Sequence, residues 1–133
     1  MNPNYAFVAI RAGHICEYCH APESIFNLPF EVEHIIPLSR GGNNNENNLA
    51  LSCRSCNLYK SDTISAFDEE TKAESQIFNP RQEIWTENFS IDKETGEIKG
   101  LTAIGRVTVL RLRINGKTQL SARISWSNLG LFE

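Results

Sequence analysis

The stretch that decides the fold is EVEHIIPLSRGG, residues 31–42. Its first half is rich in Val and Ile, which favours a β-strand, and Pro37 marks a point where a strand must end. Glu31, Glu33 and His34 place three titratable groups in this apolar run, where a plain Val/Ile strand would be easier to bury. Two glycines then open a loop. A histidine in a strand is usually half-buried and satisfied, and a glutamate beside it usually faces solvent, so this stretch by itself leaves a chemical role open.

Two C-x-x-C pairs flank this stretch, and they contain all four cysteines of the chain: Cys16, Cys19, Cys53 and Cys56. Each pair places two thiolates on one side of a tight turn, and two such turns form a tetrahedral four-sulfur cage for Zn²⁺. Buried free thiols and a redox pair are the alternatives. The 33 residues between the pairs exceed the spacing of common zinc ribbons, so we expect a folded segment there. His20 is a possible replacement ligand, but with four cysteines present it is expected to be a bystander.

Composition predicts one domain, or two small lobes, in a chain of 133 residues with 41% hydrophobic residues. The formal net charge is −3, but the charges are unevenly distributed. Residues 62–97 carry ten acidic groups, whereas residues 98–132 carry six Lys/Arg and no acid. A basic face that binds a polyanion and a solvated cationic helix both explain this gradient. Without a recognisable leader or an apolar stretch of membrane-spanning length, we expect a soluble cytoplasmic protein.

Local patterns predict helices and strands in both halves of the chain. In the first half we predict a helix, two antiparallel strands and two further helices, at residues 5–12, 30–36, 48–52, 55–61 and from Ser61 or Asp62 onward. In the second half we predict a hairpin around residues 94–96, with Trp85, Phe89 and Ile91 on one strand and Ile98 on the other, then helices at 102–114 and 118–126. The β-branched residues of IGRVTVLRLRI make a strand a competing prediction there.

The order of these motifs resembles the HNH endonuclease family. The matching segments are CEYC, EVEHIIPLSRGG, NNLALSC and CNLYKSD, which together cover residues 16–62. NPRQEIW and GLTAIGRVTVLRLRING are similar, more loosely, to an extension found in a bacterial subgroup. The resemblance implies an α+β fold: a ββα-metal core with a four-cysteine zinc site, plus a small C-terminal hairpin and helical extension. The expected division is a nuclease core at 1–66 and an extension with the basic segment, packed on the core, at 67–133.

The resemblance also implies a site for metal-dependent hydrolysis of DNA. His34 would be the general base, and an ordinary histidine pKa of about 6.5 suits that task. Asn48 would pin the loop, while Glu33 and Asn57 would hold Mg²⁺, Mn²⁺ or Ni²⁺. Glu33 replaces the commoner aspartate and is one methylene longer. Because neighbours in a strand point to opposite faces, Glu33 and His34 reach one site only if the strand bends or frays.

Five cations are candidate phosphate contacts: Arg40, Lys60, Arg106, Arg111 and Arg113. The predicted substrate is DNA, bound with modest and salt-sensitive affinity, so a protein partner that supplies specificity is a further expectation. The sequence leaves the oligomeric state open. A non-catalytic zinc module would explain the cysteines and the basic segment, but not Glu33, His34 and Asn57 together. A redox protein would instead form reversible disulfides.

Overall fold

The computed structural model describes residues 2–132, in which short helices and strands alternate. The six strands, whose ranges follow, form three separate two-stranded antiparallel sheets that each pair consecutive strands. The elements are α1 Tyr5–Arg11, β1 Glu31–His34, β2 Leu49–Ser52, α2 Arg54–Lys60, β3 Ser65–Asp68, β4 Ala73–Gln76, α3 Trp85–Asn88, β5 Phe89–Ile91, β6 Ile98–Gly100, α4 Ala103–Arg111 and α5 Lys117–Asn128. Among the residues described, no helix has the length and apolar character needed to span a bilayer.

The first sheet and the helix after it form the predicted ββα unit. Strands β1 and β2 pair antiparallel, with Glu31 opposite Ser52 and His34 opposite Leu49. All four residues of β2 are buried, which makes this strand the centre of the unit. Helix α2 follows at once, and its N-terminus is capped by the sulfur of Cys53, which accepts a hydrogen bond from the N–H of Cys56. The α+β prediction with a ββα core is therefore confirmed.

The loop between β1 and β2 is held by Asn48 and by a close backbone approach. The Asn48 side chain accepts from the N–H of Ile36 at 2.9 Å and donates to the carbonyls of Ile36 and Asn43 at 3.0 and 2.8 Å. Gly42 donates its N–H to Pro37 O at 3.0 Å. A Cβ atom on Gly42 would lie 1.8 Å from the carbonyl oxygen of Ile36. Only glycine fits there, so the second glycine of the RGG segment fixes the path of the loop.

We expect Gly42→Ala to lower the free energy of unfolding by at least about 2 kcal/mol, because the backbone of the loop must shift to admit the methyl group. Gly13→Ala is the matched control. Gly13 has a left-handed backbone, at φ +66°, which Gly42 does not have, but nothing lies within 4 Å of its added Cβ. The control should lose only about 1 kcal/mol. Equal urea midpoints for the two variants would contradict the proposed clash.

The prediction of a helix after Ser61 is wrong. Ser61 ends α2 with a positive φ of 49°, and residues 65–76 form the β3–β4 hairpin instead. At the turn, Asp68 accepts hydrogen bonds from the N–H and hydroxyl of Thr71 at 2.9 and 2.7 Å. Such side-chain bonds favour a turn over a continued helix. The packing of β3 and β4 against α4 also favours the hairpin over a helix.

The last third of the chain follows the predictions with two differences. The β5–β6 hairpin, the helix in IGRVTVLRL and the final helix are confirmed. Thr102 caps α4 as predicted, since its hydroxyl accepts from the N–H of Gly105 at 3.0 Å. Trp85, however, lies in the short helix α3 and not in the strand. Helix α4 also stops at Arg111, short of the predicted end near Ile114.

The segment NPRQEIW contacts the first cysteine pair. Arg81 forms an ion pair with Glu17, and the indole N–H of Trp85 donates to Tyr18 O at 2.8 Å. Phe78 packs edge-on against the Tyr18 ring, with 6.5 Å between ring centroids. These three contacts fix residues of the C-terminal half on the turn that carries Cys16 and Cys19. The division at residue 66 stays a prediction.

Candidate active site and metal centre

The four cysteines meet at one buried point. Their sulfur atoms all lie within 4.8 Å of one another, and the Cys19 and Cys53 sulfurs are 3.7 Å apart. A tetrahedral Zn²⁺ with bonds of about 2.3 Å requires sulfur–sulfur distances of about 3.8 Å. All four thiols are free, and none forms a disulfide. The donor set and its spacing therefore fit the predicted zinc centre.

Local backbone geometry places these sulfurs. In the first pair, the N–H of His20 donates to Cys16 O at 2.9 Å and closes the tight turn. His20 has a left-handed backbone and stacks on Trp85 at 3.8 Å between ring centroids, apart from the four-sulfur group. The second pair occupies the first turn of α2. Within residues 2–132, no other group of three or more His, Cys, Asp or Glu side chains is close enough to share a metal ion.

His34 is the last residue of β1 and is half-buried. Its Nε2 lies 2.7 Å from the side-chain oxygen of Asn44, in the loop that follows. An amide oxygen only accepts hydrogen bonds, so in this contact Nε2 is the donor and Nδ1 is the nitrogen left to accept a proton. The contact with Asn44 thus orients the ring.

Glu33 lies on the opposite side of the strand and is 6% exposed. The hydroxyl of Tyr18 donates to Oε1 at 2.8 Å, and the ammonium of Lys60 lies 3.2 Å from Oε2. Burial raises the pKa of Glu33 to about 7, although Lys60 and Tyr18 favour the ionised form. Because β1 stays paired through His34, the strand shows no bend that brings the Glu33 carboxylate round to the His34 ring. Its role as a cation ligand stays a prediction, which requires Lys60 to release Oε2.

Asn48 and Asn57 occupy different positions around the end of β1. Asn48 makes hydrogen bonds of the predicted kind to the loop, and its part in catalysis stays a prediction. Asn57 is half-buried on α2, which packs against β1. It precedes Lys60 by three residues and therefore lies on the same side of the helix. Lys60 donates to Ile35 O at 2.9 Å, so this side of α2 adjoins the end of β1.

Two of the five predicted phosphate contacts, Lys60 and Arg106, form close ion pairs with carboxylates of the protein, at 3.2 and 3.0 Å. Lys60 is only 1% exposed and is bonded to Glu33 and Ile35 O, so its predicted contact with a phosphate does not fit this structure. Arg106 donates to Asp68 at 3.0 and 3.1 Å and also pairs with Glu70. A lysine near the end of a helix looks solvated in sequence, and the burial of Lys60 depends on tertiary packing.

The other three predicted cations are exposed near the end of α2. Arg40 donates to Asp62 O at 2.8 Å, and Arg111 donates to the hydroxyl of Thr63 at 2.9 Å. The guanidinium of Arg113 lies over the ring of Tyr59, 4.5 Å from its centroid. Cations from the β1–β2 loop and from the C-terminal basic segment thus meet at residues 59–63. Arg40, Arg111 and Arg113 together form the arginine cluster.

Sequence reasoning missed two polar residues of this site, Tyr18 and Asn44. Tyr18 sits inside CEYC, where nothing in the local pattern indicates that its hydroxyl meets Glu33. Asn44 belongs to the run NNNENN, whose members are alike in sequence. The only available signal was the position of that run directly after the His34 strand.

The Asp68–Arg106 pair predicts acid sensitivity. Hydrogen bonds from Arg106 and Thr71 hold the pKa of Asp68 well below its usual range. Because the folded-state pKa is depressed, this stabilisation is complete above the unfolded pKa of about 4 and is lost as the pH falls further. We expect Asp68→Asn to be less stable than wild type at pH 6 and to lose less stability below pH 4. Urea midpoints against pH, with exposed Glu69→Gln as control, test this; parallel curves for Asp68→Asn and wild type would contradict it.

Comparison with known proteins supports the assignment of the core. Residues 16–63 match the family model described as HNH endonuclease. No curated protein and no solved structure gives a match. The matched segment begins at Cys16, contains the β1–β2–α2 unit and ends just after α2. Sequence comparison and geometry thus agree on one segment: residues 16–63 match the HNH endonuclease model, and the four-cysteine group and the β1–β2–α2 unit lie within that match.

Proposed function

We propose that the protein is a metal-dependent DNA endonuclease in which His34 is the general base. The observation that carries the proposal is the half-buried His34 ring at the end of β1, oriented by Asn44. A base held through one ring nitrogen leaves the other to take a proton from water. The match of residues 16–63 to the HNH endonuclease model supports the same chemistry.

In the proposed step, Nδ1 of His34 takes a proton from a water molecule while the water oxygen attacks phosphorus. The bond from phosphorus to the leaving 3′ oxygen breaks, which leaves a 5′-phosphate and, after protonation by solvent, a 3′-hydroxyl. The positive charge that forms on the ring is offset in part by the hydrogen bond from Nε2–H to Asn44. Asn48 supports this arrangement because it holds the carbonyl of Asn43, the neighbour of Asn44.

A bound divalent cation would offset the negative charge that develops on the phosphoryl and leaving oxygens. Glu33 and Asn57 remain its proposed protein ligands, because carboxylate and amide oxygens suit a hard cation. A Mg²⁺ with two protein ligands keeps several waters and accepts substrate phosphate oxygens. This proposal requires the ion pair between Lys60 and Glu33 to open, so that the Glu33 carboxylate is free to bind the cation.

Glu33→Gln tests whether Glu33 binds the cation. If Glu33 binds the cation, we expect the Mn²⁺ concentration for half-maximal DNA cleavage to rise by roughly 10-fold or more, since the charged ligand is lost. Glu31→Gln is the matched control, from the same strand and with the same change of charge. An unchanged Mn²⁺ midpoint together with a lower melting temperature would show that Glu33 serves only as the buried partner of Lys60 and Tyr18.

We propose that the arginine cluster binds the DNA backbone. Its three side chains are exposed, and they lie at the C-terminal end of α2, the helix that also carries Asn57. Such contacts position a duplex without reading its sequence. So few cations give modest, salt-sensitive binding, which leaves room for a protein partner that supplies specificity.

The direct test is nicking of supercoiled plasmid by the zinc-loaded full chain, with Mg²⁺, Mn²⁺ or Ni²⁺ and with EDTA as the blank. We expect metal-dependent conversion to the open-circular form, with 5′-phosphate ends by end-labelling. Absence of nicking with every metal, in protein shown to be folded and zinc-bound, would refute the nuclease. The chain would then be a zinc module that binds nucleic acid or protein without cleavage.

A further inference from the structure

A cavity of about 200 Å³ lies beside the four-cysteine centre. Cys19, Cys53 and Cys56 line one side of it, and Ala122, Arg123 and Trp126 of α5 line the other. Its lining is almost entirely apolar. The zinc centre therefore faces α5 across a space in which few polar groups surround the sulfurs.

Arg123 is the buried cation at this cavity, with 2% of its surface exposed. Its two terminal nitrogens donate to Gly96 O and Ile114 O, both at 2.7 Å. Its Nε is the one buried side-chain nitrogen or oxygen within residues 2–132 that has no hydrogen-bond partner. Arg54 also borders the cavity, but it is exposed to water. A buried guanidinium that meets only two neutral carbonyls calls for a compensating negative charge nearby.

The zinc centre supplies the opposite charge. Four thiolates and one Zn²⁺ leave a formal charge of about −2 in a buried site, and an uncompensated buried charge is costly. Burial lowers the pKa of Arg123, and the charges of all four cysteines oppose that shift. The guanidinium stays protonated in proteins, so its charge is available to the sulfurs.

We propose that Arg123 is the outer-shell partner of the zinc centre: its buried positive charge, at the same cavity as three of the cysteines, offsets the negative charge of the tetrathiolate. Arg123 also bonds Gly96 O in the β5–β6 turn and Ile114 O after α4. It therefore joins the zinc centre to three segments of the C-terminal half. Zinc binding and the docking of α5 are coupled through this residue. Outer-shell partners of this kind commonly change metal affinity by about 10–100-fold.

Arg123→Met, which keeps the length and loses the charge, is the first test. We expect chelator competition on the full chain to show zinc affinity reduced by about 10-fold or more. Exposed Arg113→Met, a matched loss of one cation, should leave zinc affinity unchanged. If Arg123 only bridged the two carbonyls, the variant would lose thermal stability and keep its zinc affinity. Affinity within twofold of wild type would overturn the proposal.

Arg123→Lys covers the case in which Arg123→Met does not fold. Lysine keeps the positive charge but loses the planar fork that bridges Gly96 O and Ile114 O. We expect its zinc affinity to stay within about threefold of wild type while its melting temperature falls. A zinc affinity reduced by about 10-fold or more in Arg123→Lys would overturn the proposal. Neither readout involves DNA cleavage, so both are independent of the proposed nuclease activity.

Discussion

Removal of zinc is expected to unfold the HNH segment of the protein. Structural zinc in small domains contributes about 10–16 kcal/mol of binding free energy, which matches or exceeds the 5–15 kcal/mol by which a whole domain is stable. The centre joins two cysteine turns 33 residues apart, and without the ion four buried thiols would face one another. Incubation of the full chain with a strong chelator should abolish the near-ultraviolet circular dichroism of Trp85 and shift the chain to the unfolded state.

The control for zinc removal is metal identity. Addition of Zn²⁺ should restore the spectrum, whereas Mg²⁺ should not, since thiolates select the softer ion. Trp85 is a suitable probe because it stacks on His20 and donates to Tyr18 O, both within or next to the first cysteine pair. A chain confirmed to be zinc-free that keeps its native spectrum and urea midpoint would show that the sulfurs do not hold the fold together.

His34→Ala is expected to lower the single-turnover rate of DNA nicking by about 10²–10⁴-fold, the range that a positioned general base contributes. Because the ring is only half-buried and its side-chain hydrogen bond goes to a loop residue, thermal stability and zinc content should stay close to wild type. His14→Ala is the matched control: His14 is the partner of Glu23, outside the proposed site, so its loss should leave the rate unchanged. A His34→Ala rate within threefold of wild type would contradict the assignment.

The features that the sequence predicted well depend on local chemistry. A C-x-x-C turn is set by neighbouring residues, so two of them predicted the sulfur cluster. The Val/Ile run ended by Pro37 predicted β1, and Thr102 predicted the start of α4. The helix prediction for residues 62–76 failed because the sequence pattern there is weak. Contact with α4 decides between a helix and a hairpin.

The partners of the buried charges were beyond prediction because they join distant parts of the chain. Glu33 meets Tyr18 and Lys60 from 15 and 27 positions away, and Lys60 looked available to phosphate in sequence. Arg123 is one of the six cations of the C-terminal basic segment, and its burial beside the cysteines follows from how α5 packs. The sequence shows how many charges a segment carries, but the fold determines which of those charges stay in water and can bind a partner.

Chemical rescue tests the role of His34 most directly. His34→Gly leaves a space at the end of β1 that free imidazole can occupy, in a protein that keeps its zinc centre. With Mn²⁺ and supercoiled plasmid, we expect almost no nicking by this variant alone, and a rate that rises with imidazole concentration while wild type shows no such rise. A His34→Gly protein that nicks at the wild-type rate without imidazole would show that some other group activates the water.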